Sequence, residues 1–111
     1  MARHILMAFS NALAGRDDEF NRWYDDIHLS DVLKVPGYTA AQRFELSPSQ
    51  MMPDPPYRYV ALYEVETDDL QATLEELRNK PPEELPVSDS WDYDRCATWW
   101  YSPITGRVEE Q

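Results

Sequence analysis

The sequence predicts an α+β fold in which a four-stranded antiparallel sheet carries two helices on one face, in the order βαββαβ. Three observations carry this expectation. Four short stretches have the length and alternation of strands, two segments have helical apolar spacing, and Pro-Gly or Pro-Pro pairs punctuate the joins. At 111 residues, 42% hydrophobic and 13% aromatic, the chain has material for one packed core, so residues 1–111 are read as one domain.

His4 to Ser10 is a short apolar run ending at Asn11, with Gly15 beyond, and reads as the first strand. From Asp17 the period changes. Phe20, Trp23, Tyr24 and Ile27 recur at helical spacing, and Asp17, Asp18 and Glu19 place negative charge in the first turn, where the helix dipole favours it. Pro36-Gly37 ends that helix. Tyr38 to Leu46 is the second strand, Pro48 to Pro56 a proline-rich loop, and Tyr57 to Glu66 the third strand, which makes a hairpin with a long connection.

A second helix is expected from about Asp68, capped through Gln71, with Leu70, Leu74 and Leu77 as its buried stripe up to Pro81-Pro82. Residues 81–92, rich in proline and carboxylates, read as a surface excursion. Arg95 to Tyr101 is an aromatic fourth strand, and the tail from Pro103 an extended arm. This order is the split βαβ arrangement of the ferredoxin-like fold.

Two helices cover only one face of such a sheet, yet the strands carry large apolar groups on both alternating sets: Tyr59 and Tyr63 against Val60 and Leu62, Trp100 against Trp99 and Tyr101. The second face is therefore expected to pack on another copy, giving a homodimer whose sheets meet as a dimeric α+β barrel. The competing reading covers that face with loops 47–56 and 81–93.

The charge balance, 21 acidic against 10 basic residues for a net −11, repels phosphate backbones and anionic lipid, so neither nucleic acid nor a membrane is an expected partner. No apolar run approaches the ~20 residues of a bilayer span. The single cysteine, Cys96, and the lack of a signal-like apolar run at Met1 to Ile5 lead to a cytoplasmic, reducing location as the expectation. Two histidines far apart give no metal-ligand spacing, three glycines make no phosphate loop, and no nucleophile elbow is visible, so neither metal nor cofactor is expected.

One constellation has chemistry in it. With Phe20 at zero and about 100° per residue, Tyr24 falls near +40° and His28 near +80°, neighbours on the side facing the helix–sheet cleft, where a small ligand would lie. An imidazole can move a proton near neutral pH and a phenol beside it can donate to a carbonyl or enolate oxygen. The bland alternative is a structural hydrogen bond at a helix end. Trp23, Tyr63 and Trp99 are the candidate substrate-lining aromatics, although aromatics on strands equally serve core or interface, and a one-residue register slip exchanges Trp99 for Trp100. His4 reads as a strand residue.

The stretch from Glu19 to Tyr38, with Trp23-Tyr24, then His28-Leu29, then Pro36-Gly37-Tyr38, resembles the EthD-like type within the dimeric α+β barrel superfamily. Those proteins often have proline after His-Leu, where this chain has Ser30. The resemblance extends more weakly over residues 59–65, 68–70 and 99–105. It implies the ferredoxin-like dimeric fold. For activity it implies a range, from polyketide cyclases, muconolactone isomerases and cofactor-independent monooxygenases to haem-using members, since one fold hosts several chemistries. In cyclase-like and isomerase-like members the ligand lies in the helix–sheet cleft with the motif histidine in or near it.

Two functions follow as expectations. One is an enzyme without metal or nucleotide cofactor, acting on an aromatic, lactone or polyketide-like substrate, with His28 moving a proton, Tyr24 holding the oxyanion, and Trp23, Tyr63 and Trp99 lining the pocket. The other is a non-catalytic ligand-binding or dimeric assembly module. A haem-using variant is a lesser third.

Overall fold

The computed structural model describes residues 1–111 and has the expected element order. Strand β1 is Arg3–Ser10, helix α1 is Asp17–Trp23, a π-helical turn covers Tyr24–His28, and α2 is Leu29–Leu33. Strands β2 (Tyr38–Glu45) and β3 (Tyr59–Glu66), helix α3 (Leu70–Arg78) and strand β4 (Ala97–Tyr101) complete it. The sheet is antiparallel throughout, with spatial order β2-β3-β1-β4. This is the ferredoxin-like arrangement.

Helix α3 starts one residue later than its expected cap, because Asp69 rather than Asp68 accepts from the Ala72 amide at 3.1 Å. Thr73, not a leucine, is its most buried residue, held by Thr67 at 2.8 Å, while Leu77 packs at the edge of the core. Gly37, at φ 97°, turns the chain from α2 into β2 in a conformation that side-chain-bearing residues rarely adopt.

Two local irregularities decide which side chains face the helices. A bulge between Tyr38 and Ala40 inserts Thr39 into β2, so the inward set becomes Tyr38, Ala41 and Arg43 instead of strict alternation from Tyr38. Phe44 is thereby turned outward. In the helix, the wider π turn brings His28 back in line with Tyr24, and Phe20, Tyr24, His28 and Val32, spaced by four, are all buried. An uninterrupted α-helix would drift about 40° at each such step. The wheel built on ordinary helix geometry put Ile27 inside; it is 43% exposed.

The covered face joins Trp100, Leu6, Tyr63 and Ala41 in one cross-strand row, and Thr98, Ala8, Ala61 and Arg43 in the next. The alanines leave room under the helix for the ring of Tyr24 and the guanidinium of Arg43. On the other face stand Met7, Leu62 and Trp99 in register, with Trp99 57% and Tyr101 54% exposed. Loops do not cover it. Residues 81–92 turn to the helix side instead, and they are not a mere surface excursion: Ser90 is fully buried, its carbonyl accepts from Leu13 at 2.8 Å, and Trp91 packs on Phe20. No helix of the chain is long and apolar enough to cross a membrane.

Candidate functional site

The site lies where the π turn crosses the covered face. Trp23 stacks on the His28 ring, with centroids 4.6 Å apart and planes 27° apart, while Tyr24 meets it edge on at 4.8 Å. Trp91 closes another side, 5.8 Å from His28 and 5.7 Å from Trp23. Four of the predicted site residues, Trp23, Tyr24, His28 and Tyr63, thus gather around one space. The fifth does not. Trp99 stands on the opposite face of the sheet, because β4 pairs with β1 in the register Met7↔Trp99 and Leu6↔Trp100, so the slip of one residue falls the other way and Trp100 is the inward tryptophan. Trp100 itself packs on Tyr38, at 6.0 Å.

Two residues of the site escape a reading of sequence pattern. Arg43 reaches in from β2 with its side chain only 12% exposed, and its guanidinium lies 4.3 Å from the centre of the Tyr24 ring, a cation–π contact. Its terminal nitrogens donate to Asp25 at 2.8 Å and Asn21 at 2.9 Å. Strict alternation points Arg43 outward, and only the bulge brings it in. Trp91 sits in a segment whose composition reads as surface, and its one signal was a large aromatic among prolines and carboxylates.

Burial dominates the electrostatics. It pushes the His28 imidazole down to about 4, Asp31 opposing and Arg43 adding to the shift, so the ring is neutral near pH 7. Tyr24 and Tyr63 are both pushed up by burial, and stay protonated. Their hydroxyls lie close enough to bond each other, outside ideal hydrogen-bond geometry, and have no other partner. His28 Nδ1, Arg43 Nε and Trp91 Nε1 are buried without a partner. Buried polar groups are nearly always satisfied in folded proteins, so these are the groups around the space with bonding capacity to spare. No group of three or more His, Cys, Asp or Glu side chains converges as a metal site.

The space is filled by side chains. The larger cavities lie elsewhere: one of about 650 Å³, between α1 and residues 86–89, is walled in part by Trp23, and one of about 640 Å³ lies under the C-terminal tail beside His4 and Ser102. His4 bonds Ser102 Oγ at 2.7 Å and takes no part in the His28 cluster.

No protein-family model matches the chain, and no characterised protein matches it in sequence. Solved structures do match it in shape. An EthD-like protein of Ralstonia eutropha JMP134 superposes with a TM-score of 0.66 at 12% identity, over 96% of each chain. A dimeric ferredoxin-like protein of Jannaschia sp. CCS1 gives 0.66 at 12% identity, over 91% of this chain and 99% of that one. The haem degrader MhuD of Mycobacterium tuberculosis, solved with two haems bound in its active site, gives 0.65 at 12% identity, over 95% and 99%. At such identities the likeness speaks for architecture: the chain has the ferredoxin-like fold, and its structural neighbours include EthD-like proteins.

Proposed function

We propose that the protein is a small-molecule enzyme that moves a proton in the helix–sheet cleft with its side chains alone. The observation that carries this reading is the His28 Nδ1, buried without a partner, beside the hydroxyls of Tyr24 and Tyr63, which have only each other. His28, neutral near pH 7, takes a proton from a C–H or O–H group next to a carbonyl, as in cyclisation, isomerisation or the first step of a cofactor-independent oxygenation. Tyr24 donates to the oxygen on which charge develops. Trp23, Tyr63 and Trp91 bound the ring system, with the 650 Å³ hollow beside Trp23 as the approach.

The rings of Trp23, Tyr24 and Trp91 crowd His28, so a macrocycle like the haem of the mycobacterial neighbour would need them to move aside. The filled cleft favours one other reading, a ligand-free assembly module of the same fold.

A single titration separates the two. The imidazole NMR signals of His28 and His4 are followed against a panel of small aromatic acids, lactones and quinones, and turnover of any ligand that moves His28 is compared in His28→Ala and Tyr24→Phe. The enzyme reading expects His28 to shift, His4 to stay, and each variant to slow turnover about 100-fold or more. An indifferent His28, or turnover unchanged in both variants, overturns it and leaves the assembly module.

The outer sheet face supports a homodimer. Ile5, Trp99 and Tyr101 are exposed there on neighbouring strands, with Phe44 on the opposite edge strand, an apolar surface suited to a second copy of itself, and Cys96 as a lone thiol suits a reducing, cytoplasmic setting.

A further inference from the structure

We infer that the cleft is specific for a planar aromatic ligand carrying an anionic oxygen, a carboxylate or a phenolate, and that Arg43 with Tyr24 receives that oxygen. The inference rests on the proton-transfer reading of the same site and names its substrate class.

The donors and acceptors around the space do not balance. Arg43 Nε and Trp91 Nε1 donate only, and both are buried without an acceptor. The hydroxyls of Tyr24 and Tyr63 have only each other, which leaves the pair one proton to give. Against these donors the protein sets no buried carboxylate. The one acid bonded to Arg43, Asp25, lies on the outer side of the helix with its side chain 57% exposed, and it occupies a terminal nitrogen, leaving Nε free toward the interior. Asp31, the acid nearest His28, is bonded to Lys34 at 3.3 Å. With its terminal nitrogens held by Asp25 and Asn21, Arg43 keeps a buried Nε–H to spare, as Trp91 keeps its indole N–H, and both are completed by an acceptor that arrives with the ligand.

The walls give the rest of the class. Phe20, Trp23 and Trp91 present flat faces, and Ala8 and Ala61 are small side chains in the same sheet row as Arg43. An aromatic ring can lie in the place the indoles now fill, with its oxygen in the row of Arg43. An anion there has a second effect: it sits close to His28, favours the protonated imidazole, and so strengthens the base at the moment the substrate is bound.

The test uses 2-naphthoate and its uncharged isostere 2-naphthamide on the intact protein. Binding is measured by tryptophan fluorescence or calorimetry, while NMR follows the Arg43 Nε–H and the His28 ring. Naphthoate is expected to bind at least about tenfold tighter than naphthamide, to move the Arg43 Nε–H signal, and to raise the His28 pKa. The preference should vanish in Arg43→Gln and persist in part in Arg43→Lys; if Arg43→Gln does not fold, the Nε–H shift of the unmodified protein decides alone. Equal binding of the two probes with His28 perturbed by both would overturn the anion specificity and leave the site standing. Silence of both Arg43 and His28 toward both probes would overturn the specificity and the site together.

Discussion

The His28 imidazole lies stacked on the Trp23 indole at 4.6 Å, so the group with the proton-moving chemistry is shielded from water by the residue that also walls the neighbouring hollow. Shielding and access are therefore properties of one side chain. Trp23→Ala should expose His28 and return its pKa from about 4 toward the ordinary 6.5. An NMR titration of the ring measures this directly; an unchanged value would mean that Trp91 and Tyr24 keep water out on their own.

The depressed pKa of His28 also makes folding stability depend on pH. Between about 4 and 6.5 the unfolded chain binds a proton that the folded chain does not, so stability rises with pH through that window and is complete above it. At about 1.4 kcal/mol per unit, the contribution is at most about 3 kcal/mol. Carboxylates titrate nearby, so the comparison is with His28→Phe: denaturant unfolding at pH 4.5 and 7.5 should show a smaller difference in the variant than in the parent.

The buried phenols predict a loss of activity without a loss of stability. The Tyr63 hydroxyl has only that of Tyr24 as a partner, outside ideal geometry, so Tyr63→Phe should leave stability within about 1 kcal/mol of the parent while slowing turnover. A loss of more than about 1 kcal/mol on denaturation would show that the hydroxyl is satisfied, by water or by Tyr24.

Gly37 predicts a purely structural loss. A Cβ there would approach the Glu66 carbonyl oxygen and Thr73 Cγ2 to 3.2 Å each, at a φ of 97°. Gly37→Ala should destabilise by about 1–3 kcal/mol in thermal or denaturant unfolding.

On the outer face, Trp99→Glu should convert a dimer to a monomer in sedimentation velocity without moving the His28 NMR signal, since the two residues lie on opposite sides of the sheet. A dimer that survives the change would place the contact elsewhere.

The parts of this molecule that follow regular periods were legible in the sequence. Tyr24 and His28 meet because they are four apart on a helix, and the order of strands and helices follows from where apolar periods change at Asp17, Pro36-Gly37 and Asp68. What escaped lies at single-residue irregularities. The bulge at Thr39 exchanged Phe44 for Arg43 on the inner face, the register of β4 exchanged Trp99 for Trp100, and the π turn moved Ile27 out. Each depends on pairing with a distant strand or on one helical turn, which composition does not encode. Trp91 was hidden differently, by neighbours that read as solvent-exposed.

The equal steps of four from Phe20 to Val32 bear on how such a site arises and is lost. Because the π turn holds one residue more than the α-helix would, deleting any one residue between Tyr24 and His28 would let the segment close into ordinary helix, with the imidazole three residues after Tyr24 and about 60° off its line. Such a deletion would remove no aromatic group if it took Asp25 or Asp26, yet it would part the imidazole from its phenol. Chain length over these five residues thus fixes how the imidazole meets its phenol, and an alignment that places a gap there separates proteins in which the two rings are arranged differently, however alike their compositions.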